Sequence, residues 1–367
     1  MAAHWVSATA SRSGALSIGR PTKPAARGRG TRAREANIGG CGCGGARRAD
    51  FSTRPNTSSL RNARGGGEGP LAMRTRATGG GSDAAAPSSN DLLVVGPGVL
   101  GRLVAAQWKE EHGGAARVVG ETATTMNHES LKSLGCFDEV RTREDGSDST
   151  FPYVLFAAPP SGSEDYAAEV ERAADKWDGT GSLLFTSSAA VYDVEEGECS
   201  ETSKTKAMGA SERTDKILSC ESAVLSRGGN VLRLVGLYHS KRGAHMYFLK
   251  IQTVPRWGES HINLIHYEDA ASLSARIQMC GPETRGKIFL GCDNHPVSFQ
   301  KMMDATLLSG EYKGQCKFTG EAQERVGKFA NNDDTRRALN WAPVHESFES
   351  FMKAGARDSF LEMVVEG

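Results

Sequence analysis

From Asn90 onward, short and wholly apolar runs alternate with stretches whose apolar residues recur every three or four positions, the rhythm of a parallel sheet covered on both faces by helices. Six runs read as strands buried on both faces: 92–95, 117–119, 153–156, 182–185, 231–235 and 287–290, with Glu139-Val140 as one more short strand. Helices are expected over 99–111, 165–177 and 211–225, and in the last of these Ile217, Cys220, Val224 and Leu225 fall on one face. After Val235 the rhythm loosens, with further helices expected at 268–279, 298–308 and 345–354. No segment repeats. The pattern predicts an α/β fold with a doubly wound parallel sheet: a core over 90-236, and a region over 237-367 that completes the sheet and forms a small substrate-side subdomain.

Residues 1-80 stand outside this pattern. They hold fourteen basic and three acidic residues among Gly, Ala, Ser and Thr, too little apolar content to bury a core. Arg- and Ser-rich, acid-poor stretches of this kind read as transit peptides, so the segment is expected to target an organelle, the chloroplast stroma or alternatively the mitochondrial matrix. A basic arm for nucleic acid is the competing reading, and only Trp5 and Phe51 offer aromatic stacking there. The remainder carries thirty basic and forty-one acidic residues, so a formal total of zero hides two opposite halves. A folded part of net charge about −11 repels phosphate backbones and argues against nucleic-acid binding.

The cysteines beyond Cys41 and Cys43 (Cys136, Cys199, Cys220, Cys280, Cys292 and Cys316) are scattered singly, without the spacing of a metal site or a disulfide framework. No metal is expected, and no apolar run is long enough to span a membrane.

Chemistry enters at Leu92-Leu-Val-Val-Gly96-Pro-Gly98-Val99-Leu100-Gly101, a GxGxxG between a strand and a helix. The first glycine permits the tight turn, the second lets backbone approach a pyrophosphate, and the third lets the helix pack on the strand. Helix N-terminal amides are left for the anion. This is the Rossmann arrangement for a dinucleotide. Glu121, at the end of the second strand, can accept hydrogen bonds from both ribose hydroxyls and would repel a 2′-phosphate, which favours NAD among the NAD(P) cofactors. The alternative has the hydroxyls of Thr122 and Thr124 holding a phosphate while Glu121 faces solvent.

Four further motifs follow in order. Leu183-Leu-Phe-Thr186-Ser187-Ser188-Ala-Ala-Val-Tyr192, Val231-Leu-Arg233-Leu-Val-Gly236-Leu-Tyr238, Asn263-Leu-Ile-His266-Tyr-Glu-Asp269-Ala-Ala and Asn332 to Trp341 together resemble the atypical and extended short-chain dehydrogenase/reductase superfamily, the NAD-dependent epimerase/dehydratase-like group. The likeness runs from about Asp91 to Ala354. It implies cofactor contacts at Ala157, Ala158, Pro159, Thr186 and Ser187, and catalytic roles for Ser188 and Lys216, with Lys216 also holding the ribose. The same resemblance calls for a tyrosine four residues before the lysine, a phenol whose pKa the lysine lowers for proton exchange with substrate. This chain has Glu212 there, which beside Lys216 more simply forms a salt bridge. Tyr192 and Tyr238 are alternative phenols on other loops, and Lys216 can equally be a solvated helix lysine. His266 and Asp269 read as structural, Asp269 as a helix N-cap.

The function expected is hydride exchange between the nicotinamide and an unidentified small metabolite. A non-catalytic dinucleotide sensor or assembly factor is the alternative that Glu212 favours, and a plastid RNA-binding relative is a third.

Overall fold

The computed structural model describes residues 89–360, apart from 146–147, 162 and 323–324. The expected targeting segment lies outside the described residues.

Seven parallel strands form the central sheet. In chain order the first half comprises β1 (Leu92–Val95), α1 (Val99–His112), β2 (Val118–Thr122), α2 (His128–Ser133), β3 (Glu139–Thr142), β4 (Phe151–Phe156), α3 (Tyr166–Ala174) and β5 (Trp177–Ser188). Next come β6 (Gly197–Cys199), α4 (Glu212–Ser226), β7 (Asn230–Leu234), β8 (Gly236–Tyr238), α5 (Ala244–Ile251), β9 (Thr253–Val254), β10 (His261–Ile262), β11 (Leu264–His266) and α6 (Tyr267–Met279). The chain ends with β12 (Ile288–Gly291), β13 (Val297–Ser298), α7 (Phe299–Leu308), β14 (Lys317–Phe318), β15 (Lys328–Ala330), α8 (Asp333–Leu339) and α9 (Phe348–Lys353).

The sheet order is β12-β7-β5-β4-β1-β2-β3. Connections run one way from β1 through β2 to β3, then cross back to β4, so β1 and β4 flank a switch point where a crevice opens beyond the strand ends. Alternation along β1 explains the two layers. Leu92 and Val94 join the core beneath α1 and α6, while Leu93 and Val95 join the core beneath α3 and α4. A third apolar cluster, around Tyr238, Phe248, Phe299, Phe348 and Phe351, holds the C-terminal region together.

All seven expected strands are present. The helix expected over 165–177 stops at Ala174, because Trp177 begins β5, pairs with Phe151, and donates its indole N–H to the Pro152 carbonyl. The last expected helix begins at Phe348, not at His345. Ser347 and Ser350 close a capping box there, and the amides of Val344 and His345 are taken by Asp269. The cap of α6 is likewise His266, whose ring accepts the Glu268 N–H; Asp269 is not the cap and ties the α9 approach to α6 instead. Helices α2, α5 and α8 escaped the apolar-period reading: α2 buries only Leu131, α5 only His245 and Phe248, and α8 only Thr335 and Leu339. No helix among the described residues is long and apolar enough to cross a membrane.

Candidate functional site

The turn after β1 is shaped by its glycines. Gly96 sits at φ +83°, and a Cβ there would stand 2.5 Å from the Ala158 backbone. A Cβ on Gly101 would meet the Gly96 carbonyl oxygen and Val94 Cγ1, each at 2.9 Å, whereas one on Gly98 would meet nothing within 4 Å. The loop is therefore closed against β4 at Gly96, closed against β1 at Gly101, and open at Gly98, the N-cap of α1, next to the first helical residues Val99 and Leu100. That space fits the phosphates of a dinucleotide, which need backbone approach without side chains. Across the switch point, the Ala157 N–H donates to the Val95 carbonyl (2.8 Å) and the Tyr166 hydroxyl to the Ala158 carbonyl (2.9 Å), so β4 presents Ala157, Ala158 and the exposed Pro159 beside the turn.

At the end of β2 the geometry departs from the sequence reading. Glu121 is 1 % exposed and its carboxylate meets Arg172 Nη1 at 2.7 Å and Arg141 Nε at 3.5 Å. Arg141 pairs with Glu121 in register across β2 and β3, so both side chains leave the sheet on the same face, and Arg172 reaches them from α3. The carboxylate expected to receive ribose hydroxyls is turned toward two guanidiniums far away in sequence. Thr122, the alternative phosphate ligand, has its hydroxyl occupied by the carbonyls of Thr124 (2.8 Å) and Arg141 (3.2 Å) and by His128 Nε2 (2.7 Å).

At the end of β5, Thr186 donates to the Phe156 carbonyl at 3.1 Å, and the Ser188 oxygen accepts the Ala190 N–H at 3.2 Å. Ser187 is held from below: its hydroxyl donates to Glu221 of α4, which also receives Arg233 of β7 through Nε (3.0 Å) and Nη2 (2.6 Å). The Arg233 guanidinium lies 4.7 Å from the Tyr192 ring centre. Ser187, Tyr192 and Arg233 fall within the quoted motifs, but Glu221 does not, and only the packing of α4 on β5 and β7 brings it to them.

Glu212 and Lys216 are exposed side chains of α4, 84 % and 48 % exposed, with Nζ 2.8 Å from Oε1. The hydrogen bond from Lys216 holds the Glu212 carboxyl below the usual range. They form the solvated ion pair that their spacing suggests. The alternative phenols are buried. Tyr192 is pushed up to about 12, chiefly by burial, and its hydroxyl donates to the Glu201 carbonyl at 3.4 Å. The Tyr238 hydroxyl is buried without a hydrogen-bond partner among the described residues, and burial drives its pKa well above the ordinary value.

His266, Glu268 and His345 bring ligand atoms within 4.8 Å of one another. The donor set does not fit a divalent ion. His266 Nδ1 accepts the Glu268 N–H, so the ring proton sits on Nε2 and is donated to Asp358 Oδ1 at 2.9 Å, leaving no lone pair for a metal. Glu268 accepts the amides of Ser359 and Phe360 on one oxygen and faces His345 Nε2 at 3.0 Å on the other. The cluster pins the end of the described chain to the start of α6. Two cavities, of about 280 Å³ beside Trp108 and Ser272 and about 350 Å³ beside Glu198 and Asn331, are lined by none of the sequence-predicted site residues.

No protein-family model matches the chain, and no curated protein does. Solved structures resemble it. UDP-glucuronic acid 4-epimerase from Bacillus cereus, in complex with NAD, is 15% identical with a TM-score of 0.60, the match covering 76% of this chain and 98% of that one. A functionally unknown conserved protein from Silicibacter pomeroyi is 20% identical with a TM-score of 0.58, covering 72% and 97%. A dTDP-glucose 4,6-dehydratase from Bacillus anthracis, in complex with NAD, is 12% identical with a TM-score of 0.54, covering 72% and 96%. With the seven-stranded order and the glycine turn already in place, these likenesses show that the chain has a Rossmann-type α/β fold, the fold shared by these epimerase and dehydratase structures.

Proposed function

We propose that this chain binds a nicotinamide dinucleotide across the carboxyl ends of β1, β4 and β5 and exchanges hydride with a small metabolite held beyond Ser188, in the manner of an epimerase, dehydratase or reductase. The observation that carries the reading is the turn at Gly96 to Gly101, packed against Ala158 on one side and open at Gly98 on the other. Gly96, Gly98, Val99, Leu100 and Gly101 would hold the phosphates, and Ala157 to Pro159, Thr186 and Ser187 would line the middle of the crevice. A bound nicotinamide would supply the hydride acceptor or donor. The Ser188 oxygen accepts from Ala190, which leaves the hydroxyl hydrogen to bond a substrate oxygen.

Selection between NAD and NADP does not rest on Glu121 alone. The Glu121 carboxylate is engaged by Arg172 and Arg141, and Arg141 also meets Glu139 Oε1 at 3.6 Å, so this corner holds no free carboxylate to reject a 2′-phosphate and either dinucleotide is compatible with it. At position 212 an ionised carboxylate, paired with Lys216 in solvent, offers no proton near neutrality and so does not take the place of a phenol as proton donor. That surface pair, with the burial of Tyr192 and Tyr238, favours a second reading: a dinucleotide-binding protein without catalysis.

Calorimetric titration of the full chain with NADH and NADPH tests the binding step. Saturable binding of at least one is expected, and the reading fails if neither binds. Adding UDP-glucose or UDP-glucuronic acid to the NAD-loaded chain then separates the two readings: a rise in reduced-nicotinamide absorbance abolished in Ser188→Ala supports catalysis. A Glu212→Tyr variant that gains such a signal where the parent has none supports the second.

A further inference from the structure

Lys328 is a cation in the wrong place for a surface lysine. It lies on β15, paired with β6 in the register Lys328 to Gly197 and Ala330 to Cys199, so Lys328 and Ala330 project to the face that carries Cys199. That face closes on a buried cluster of Ala189, Tyr192, Cys199, Leu290, Cys292 and Ala330. Within it the Lys328 ammonium donates to the Ala189 carbonyl at 2.9 Å, one residue past Ser188, and lies 6.0 Å from the Tyr192 ring centre.

Charge balance separates this group from its neighbours. Arg233, on the same tyrosine, is neutralised by Glu221, and Lys216 by Glu212. Lys328 has no carboxylate within ion-pair distance among the described residues. Burial lowers its pKa, outweighing an opposing contribution from Cys199, and Lys206 adds a smaller push in the same direction as burial. An ammonium has three hydrogens to donate, and the Ala189 carbonyl takes one. A half-buried positive charge without a counter-ion is unfavourable unless a ligand provides one.

We propose that Lys328 anchors an anionic group of the substrate, a carboxylate or phosphate oxygen, in the space beyond Ser188 and Ala189, so that this site takes negatively charged metabolites. The inference rests on the dinucleotide-site reading for the identity of the cleft, but the ammonium and its surroundings are independent of it. An oxyanion there would accept the remaining N–H groups and supply the missing counter-charge, as charge-assisted hydrogen bonds do in anion sites generally.

The test uses the full chain with saturating NAD, so that the pyrophosphate subsite at Gly98 is filled, and inorganic phosphate as probe. Thermal unfolding of the parent and of Lys328→Arg should shift upward with phosphate, while Lys328→Met should respond with affinity weaker by about tenfold or more. An equal response in Lys328→Met, or no response in the parent, overturns the proposal. The two readings fail separately: absence of any NAD-induced shift defeats the dinucleotide reading, whereas a phosphate shift that depends on Lys328 survives it. Should Lys328→Met not fold, pyridoxal 5′-phosphate with borohydride on the parent decides the matter by peptide mapping. Labelling of Lys328 that phosphate suppresses is expected, and absence of that label overturns the proposal.

Discussion

The Arg233 guanidinium grips the Glu221 carboxylate through two hydrogen bonds, 3.0 Å and 2.6 Å long, with both side chains only 4 % exposed. The pair joins β7 to α4 directly beneath Ser187, whose hydroxyl shares the same carboxylate. Through it the end of β5, where Thr186 to Ser188 stand, is fastened to the helix packed on that face. Such a pair is costly to break from one side, because the survivor becomes an uncompensated buried charge.

Glu221→Gln and Arg233→Met are each expected to lower stability by about 3–5 kcal/mol, read from urea unfolding at neutral pH. The double variant should recover part of that loss, because it leaves no lone charge inside. Single variants with losses close to those of surface substitutions would show that the pair is not dry in solution.

The three glycines of the first turn should separate folding from binding. Gly96→Ala forces a Cβ against the Ala158 backbone at 2.5 Å in a left-handed conformation, so it should destabilise the fold and lose dinucleotide affinity together. Gly98 has φ −74° and open space around it, so Gly98→Ala should leave the unfolding midpoint nearly unchanged while weakening dinucleotide binding in calorimetry. A Gly98→Ala chain that binds NADH as the parent does would remove the phosphates from this turn.

Two opposing contributions to stability titrate in the same window, between about pH 4 and pH 7. Burial raises the Asp293 carboxyl to about 7 from an ordinary 3.8. With the folded pKa above the unfolded one, its contribution is fully present below about pH 4 and is lost as pH rises to about 7. Burial lowers His239 and His245 to about 4, so their contribution is fully present above about pH 6.5 and is lost as pH falls toward about 4. In urea melts across this range, Asp293→Asn should gain on the parent as pH rises. A constant difference between the two at every pH would show that Asp293 does not titrate in this window.

Much of the architecture was legible in the chain because it is written in local periodicities. Strands buried on both faces must be apolar throughout, so Leu92–Val95 and its counterparts stand out, and the covering helices α1, α4 and α6 carry their own repeats. The glycine turn was equally readable, since its GxGxxG spacing between strand and helix is local, although the Ala158 backbone that leaves no room for a Cβ at Gly96 comes from beyond β4. Glu212 with Lys216 was readable for the same reason: residues four apart on an exposed helix meet whatever the rest of the fold does.

What only the tertiary structure decided is which side chains from distant segments share a buried space. Glu121 by itself is a plausible ribose ligand; Arg141 and Arg172 become its partners because β3 pairs with β2 and α3 packs over them. Tyr192 and Tyr238 could have faced the cleft until packing buried their hydroxyls. Lys328 carries no motif and gains its meaning from the pairing of β15 with β6, which sets its ammonium beside the turn after Ser188. Desolvation and charge pairing depend on three-dimensional neighbours and not on sequence distance, so the scaffold follows from periodicity, while the charges that would bind and select a ligand follow from the fold.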